Sequence, residues 1–189
     1  SDSQAFFFRD IIRAMDKKEL LEKLKEEIEN DVSLPLQESN LVFGEGNIDS
    51  LVVFIGEAPG FHEDQQKRPF VGRGGQLLRQ NIRAIGWKEN DVYITNIVKR
   101  RPPENRDPSP EEIEAYKPYL ARQIEIINPK IIATLGRFSM NYFLPLAKIS
   151  NDHGKVAHAE GRRQAQRTPR RHAAGFHPGF HRAFSGLRR

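Results

Sequence analysis

The hydrophobic positions of the chain repeat with two different periods. In "KKELLEKLKEEIEN", residues 17–30, Leu20, Leu21, Leu24 and Ile28 recur every three or four positions with charges between them. That spacing predicts an amphipathic helix with an apolar stripe turned to a core and a solvated charged face. Three later stretches are short and almost continuously apolar: "LVVFIG" (51–56), "DVYITNIV" (91–98) and "KIIATLG" (130–136). Runs of this length, rich in β-branched residues, predict strands buried on both faces. Helical patterns separate them. "GGQLLRQNIRAIGW" (74–87) reads as a helix ending near Gly86, and "RFSMNYFLPL" (137–146) as a shorter one. The long segment from 108 to 129 opens with Ser109 as N-cap, Pro110 in the first turn and Glu112 three residues after the cap, a capping-box signature.

Strands alternating with helices predict a parallel sheet covered on both faces, and in such sheets binding sites form where loops leave the carboxyl ends of strands. Those loops begin at Gly56, Asn96 and Gly136, and the three should converge. The longest is "GEAPGFHEDQQKRPFVG", residues 56–72, whose glycines, prolines and acids predict neither a helix nor a strand. Ordering such a loop costs conformational entropy that no core repays, so it is built to hold something.

Length and composition add bounds. A chain of 189 residues with 38% hydrophobic content suits one globular domain able to bury its own core. No 18-residue apolar stretch occurs, and the early "FFF" runs straight into Arg9 and Asp10, so neither a membrane span nor a signal peptide is expected and a cytoplasmic protein is. The absence of cysteine removes disulfides, thiolate metal sites and cysteine nucleophiles together. The net charge of +5 is unevenly placed: residues 157–189 hold eight arginines and one acid, or +7, which leaves −2 for residues 1–156. The segment 157–189 also lacks Ile, Val and Lys, a composition ill suited to a central strand. The division is therefore a single domain over 1–156 and a basic C-terminal segment over 157–189. Basic surface on the domain must come from clusters such as "VKRRPPENR", 98–106.

The loop sequences "GEAPGFHEDQQKRPFVGRGGQLL", "VYITNIVKRRPPENRDPSPEEIEAYKPYL" and "PKIIATLG", with "LVFGEGN" upstream, resemble the family four uracil-DNA glycosylases of bacteria and archaea over roughly residues 30–155. The resemblance implies a three-layer α/β/α sandwich around a mostly parallel four-stranded sheet, working as a monomer on uracil-containing DNA. The implied reaction is hydrolysis of the deoxyuridine N-glycosidic bond after the base is flipped into a pocket. Phe70 matches the aromatic on which uracil stacks, although a ring at that place could equally anchor the loop to the core. Asn96 matches the residue that reads the base edge, because one amide offers a donor and an acceptor to uracil O4 and N3–H and mismatches cytosine. As a plain residue it could also cap a strand end. Glu63 falls where the family sets a side chain against uracil C5, excluding thymine by bulk; without the resemblance it would read as a solvated acid. Gly56 allows close backbone approach, and Glu57 organises the loop or orients the attacking water.

Family members carry four cysteines that hold an iron–sulfur cluster, and at the matching positions this chain has Asp31, Leu34, Arg100 and Tyr116. A thiolate-held cluster is thereby excluded. The loop "KRRPPENRDP" should instead be held by Pro102, Pro103 and Pro108 and by packing of Leu34 and Tyr116. No metal or organic cofactor is expected, since uracil leaves adequately once its charge is stabilised. The family's late histidine, which donates to uracil O2, aligns with His177 in "HPGFHR", or alternatively with His172. Phe180 and Arg182 then follow as the residues that enter the duplex, and Arg100 and Arg101 as phosphate contacts. A second reading is a DNA-binding homologue that keeps the uracil pocket and has lost catalysis. A nucleotide-binding α/β protein is a third, unsupported by any G-x-x-x-x-G-K or G-x-G-x-x-G sequence.

Overall fold

A computed structural model describes residues 16–157. Helix α1 (Lys17–Asn30) buries Leu20, Leu21, Leu24 and Ile28, the stripe read from the sequence. Strand β1 (Glu45–Gly46) is followed by β2 (Val52–Gly56), α2 (Phe61–Gln66), α3 (Arg73–Ala84), β3 (Val92–Asn96), α4 (Pro110–Ile127), β4 (Ile131–Thr134), α5 (Arg137–Phe143) and α6 (Ile149–Asp152).

The fold is mixed α/β with a four-stranded, mostly parallel sheet in the order β1-β3-β2-β4. Parallel pairing joins β2 to β3 from Val52 opposite Val92 to Gly56 opposite Asn96. On its other side β2 pairs parallel with β4, from Val52 opposite Ile131 to Ile55 opposite Thr134. The short β1 is antiparallel to β3, with Glu45 opposite Ile94. Every residue of β2 and β3 is buried, as their unbroken apolar runs require.

Alternation along the strands sends side chains to two separate cores. Val53, Ile55 and Tyr93 join the α1 stripe and Tyr116, Leu120, Ile126 and Ile127 of α4. Val52, Phe54, Val92 and Ile94 pack instead on Leu78 and Ile82 of α3. Helix α4 starts as its sequence indicates: Ser109 accepts from the Glu112 N–H, and the Glu112 carboxylate accepts from the Ser109 N–H. Lys17 Nζ donates to the carbonyl of Ile127 at 3.0 Å, placing a cation at the carboxyl end of α4.

Two features depart from the sequence reading. The stretch 56–72 contains α2, where no helix was expected. Its hold is tertiary: buried Asp64 accepts from the Asn40 N–H at 2.7 Å, and its carbonyl accepts from the Asn40 side chain at 3.1 Å. The basic cluster at 98–106 is also only partly a surface, since Lys99 is 0% and Arg100 7% exposed.

Candidate active site

The loops that leave the carboxyl ends of the parallel strands meet. Gly56 and Asn96 are register partners at the ends of β2 and β3. Beyond them the Ile97 N–H donates to the Gly56 carbonyl and the Val98 N–H to the Glu57 carbonyl, both at 3.0 Å. The third loop arrives at Gly136, where the Glu57 carboxylate is received.

Gly56 is the hinge point of the arrangement. A Cβ there would stand 2.4 Å from Asn96 Oδ1 and 2.5 Å from Phe70 Cζ, so the amide and the ring converge on a space that only glycine leaves open. Asn96 is 2% exposed, and its side-chain oxygen lies with the Phe70 ring beside Gly56.

Phe70 adopts a left-handed backbone conformation, φ +53°. For a bulky residue this is strained, by about 1–2 kcal/mol. The loop is clamped from both sides. Glu63 accepts from the N–H groups of Val71 and Gly72 at 2.9 and 2.7 Å. Arg79, from α3, donates to the carbonyls of Phe70 and Pro69, both at 3.0 Å, while Glu45 and Glu89 hold its guanidinium at 2.5 Å each. Arg79 was not apparent in the sequence; its only trace there is its place one helical turn after Gly75, whose missing Cβ would stand 2.0 Å from the Phe70 carbonyl.

Glu57 is partly buried. Burial raises its pKa above the ordinary carboxylate value, the neighbouring Asp107 adds to the rise, and the Phe138 N–H, which donates to it at 3.3 Å, works against it. Gly136, with φ +95°, allows this contact, because a Cβ there would overlap the Glu57 carboxylate. The result is a carboxylate held at the start of α5 beside the Arg137–Asp107 ion pair.

The basic residues divide. Arg101 is half-buried, with its guanidinium 5.2 Å from the centre of the exposed Phe61 ring and its Nε donating to Asn105 at 2.7 Å. Arg100 is otherwise placed than a phosphate contact requires: it is buried, donates from Nη1 to the Ser39 carbonyl, and has its Nε without a partner. Desolvating the guanidinium against residue 39 takes it off the surface. His177, His172, Phe180 and Arg182 lie outside the described residues.

The four positions matching the cluster cysteines do not fit such a group. Leu34 and Tyr116 are buried in the core, Arg100 is a cation, and the Tyr116 hydroxyl is engaged by the Pro35 carbonyl at 2.8 Å. Asp31 is taken up by Tyr119 and by Ser33. Among the described residues there is no group of three or more His, Cys, Asp or Glu able to hold a metal ion. The loop from 99 to 109 is sewn down by other bonds: the Val42 N–H to the Lys99 carbonyl at 2.8 Å, Ser39 Oγ to the Arg101 carbonyl at 2.8 Å, and a two-pronged Arg106–Glu112 pair at 2.9 and 2.6 Å.

Comparison with known proteins agrees with this geometry. The family model of the uracil DNA glycosylase superfamily matches residues 43–184. A type-4 uracil-DNA glycosylase of Thermotoga maritima is 46% identical over 136 residues, 71% of this chain and 71% of its own. One from Sulfurisphaera tokodaii is 47% identical over 145 residues, 75% of this chain and 65% of its own. One from Saccharolobus solfataricus reaches 57% over 104 residues, 54% of this chain and 48% of its own. With its fold, its motif order and these likenesses in agreement, the chain belongs to the uracil DNA glycosylase superfamily, as a cysteine-free member of the type-4 group.

Proposed function

We propose that the protein is a uracil-DNA glycosylase that flips uracil out of DNA and hydrolyses its N-glycosidic bond in base excision repair. The observation that carries this reading is the side-chain amide of buried Asn96 set against the Phe70 ring across Gly56. Uracil stacks on Phe70, a contact worth about 1–3 kcal/mol per base. The Asn96 amide then donates to O4 and accepts from N3–H, and cytosine would present like groups to both. Glu63, fixed by the two N–H groups of the loop it clamps, stands as the rigid wall that excludes a 5-methyl group.

In the hydrolytic step the C1′–N1 bond breaks with its electron pair leaving on uracil, and a water oxygen bonds C1′ as it gives a proton to solvent, from which the uracil anion is reprotonated. Glu57 orients that water and offers negative charge to the oxocarbenium-like sugar. His177 donates to uracil O2 as charge develops there. The family match extends to residue 184 and so takes in His177, Phe180 and Arg182, which supports a working C-terminal segment. Arg101, presented beside an exposed aromatic, serves as a phosphate contact.

The two cores on opposite faces of the sheet support a three-layer α/β/α sandwich formed by residues 1–156 as one domain, with 157–189 as a basic extension. We take the working form as a cytoplasmic monomer; among the described residues no helix is long and apolar enough to cross a membrane.

The test is incubation with a single-stranded oligonucleotide bearing one uracil, followed by alkali, beside a thymine control. Scission at uracil alone is expected. Asn96→Ala should cut base release to a residual rate seen only in single turnover, while leaving salt-sensitive DNA binding in place. Release by that variant at the wild-type rate would remove Asn96 from recognition.

A further inference from the structure

Lys99 lies three residues beyond Asn96 in the loop leaving β3, and it is fully buried. Its Nζ is 2.6 Å from Thr95 Oγ1, 2.8 Å from the Asn96 carbonyl oxygen and 2.6 Å from Gln123 Oε1. The protons of these partners are already committed. The Thr95 hydroxyl donates to the Phe43 carbonyl at 2.8 Å. The Gln123 Nε2 donates to that same carbonyl at 3.0 Å and to the Tyr93 hydroxyl at 3.2 Å, which leaves Oε1 as an acceptor. The Asn96 carbonyl can only accept. Three acceptors match the three N–H donors of an ammonium, whereas a neutral amine would have one donor too few.

No carboxylate takes part in this contact set; the charge is met by oxygen dipoles and by the Phe43 ring, 5.9 Å away. Burial draws the lysine pKa well below its ordinary value, which measures how poorly the site solvates a cation. An apolar side chain of the same length would avoid that penalty but leave the buried Asn96 carbonyl and Gln123 Oε1 without this donor. Hydrogen bonding rather than volume therefore selects the lysine, and one of its three oxygens belongs to the residue whose amide meets the Phe70 ring.

We infer that Lys99 is a positioning residue for base recognition, tying the main chain of Asn96 to Thr95 and to Gln123 of α4 so that the Asn96 amide is held toward the flipped uracil. The inference rests on the glycosylase reading above. The bond from Lys99 leaves at the peptide carbonyl, so the side-chain amide keeps both its donor and its acceptor for the base. The neighbouring end of β3 is thereby anchored to a helix on one face of the sheet, while Phe70 is anchored by Arg79 from the helix on the other.

The experiment is a comparison of wild type, Lys99→Met, Asn96→Ala and the double variant in single-turnover and steady-state base release, with inhibition by free uracil measured alongside. Wild type must first release uracil; if it does not, the glycosylase reading fails before this one is reached. Given a working wild type, Lys99→Met should lower kcat by about tenfold or more and weaken inhibition by free uracil in parallel, with KM for DNA nearly unchanged, since a bond to a charged group is lost behind the recognising residue. In the Asn96→Ala background the same change should have little further effect. A folded Lys99→Met with wild-type kcat and uracil inhibition, or with losses that multiply those of Asn96→Ala, would overturn the inference. Should Lys99→Met fail to fold, Thr95→Val decides: it keeps the lysine and removes one of its three acceptors, so weaker uracil inhibition is expected, and unchanged inhibition overturns the assignment.

Discussion

At the residue scale, Phe70 carries backbone strain at the candidate site. A left-handed aromatic persists only if its surroundings over-determine it, and here Glu63 and Arg79 do so from opposite sides. Arg79→Met should cost about 1–3 kcal/mol in urea unfolding, because the Pro69 and Phe70 carbonyls lose their donor, while Glu45 and Glu89 keep Arg68 and Arg83. It should also lower kcat/KM on uracil DNA, since the freed loop relaxes Phe70 away from the pocket. Glu57 gives a second test through pH. Its pKa is raised by burial, and the role assigned to it needs the carboxylate, so base release should fall as pH drops through a value above the ordinary carboxylate range. Glu57→Gln should flatten that acid limb and leave a low, pH-independent rate. Stability moves the other way at this residue. A raised folded pKa favours folding below the unfolded value and loses that contribution as pH rises through the folded one, so Glu57→Gln should stabilise the protein slightly at neutral pH.

Among elements, α4 and the loop before it are tied together at one residue. Glu112 is the junction: it completes the capping box with Ser109 and receives both prongs of Arg106. Ser109→Ala should cost about 1 kcal/mol, a cap alone. Glu112→Ala should cost more, because the cap and the loop's tie are lost together. The Arg106 hydrogen bonds hold the Glu112 pKa below its ordinary value, so this stabilisation is present above the unfolded carboxylate pKa and disappears as pH falls through the folded one. Urea midpoints of wild type and Glu112→Ala should accordingly converge in acid. This helix was legible in the sequence because a capping box is a local code, as was α1, whose period states which face is buried; the apolar runs marked the three parallel strands, but β4, read as buried on both faces, is partly exposed among the described residues. Helix α2 was hidden because Asp64 and Asn40, 24 residues apart, hold it together. Strand β1 has two residues and no period to read. The burial of Lys99 and Arg100 was misread for a related reason: a run of basic residues signals surface by default, and no pattern in the chain says which oxygens await a cation inside. Of the candidate site, Gly56, Phe70 and Asn96 were named from the sequence and the fold brings them together; Arg79 and Lys99, which meet them only through tertiary contacts, were not.

Over the whole molecule, the question is which surface meets the DNA backbone. Among the described residues most arginines are already engaged, although Lys67 and Arg73, in and just after the long loop, are exposed and stand in no ion pair. Arg68, Arg79, Arg83, Arg106, Arg122 and Arg137 are each in ion pairs with carboxylates, and Lys99 and Arg100 are buried. The residues from 158 to 189 carry eight arginines against one glutamate. Phosphate neutralisation releases counterions, and each contact made on a single strand steepens the fall of affinity with salt by about 0.7 in a log–log plot. The full chain should therefore bind single-stranded DNA with a steep salt slope. A chain ending at residue 157 should keep its fold by circular dichroism, bind more weakly and show a slope reduced by several contacts. Base release should be lost as well, because His177 goes with the segment. His177→Ala in the full chain separates the two effects: its salt slope should match wild type while its base release falls. A truncated chain that retained the wild-type slope would move the backbone contact onto the domain, with Arg101 beside Phe61 as the first residue to mutate.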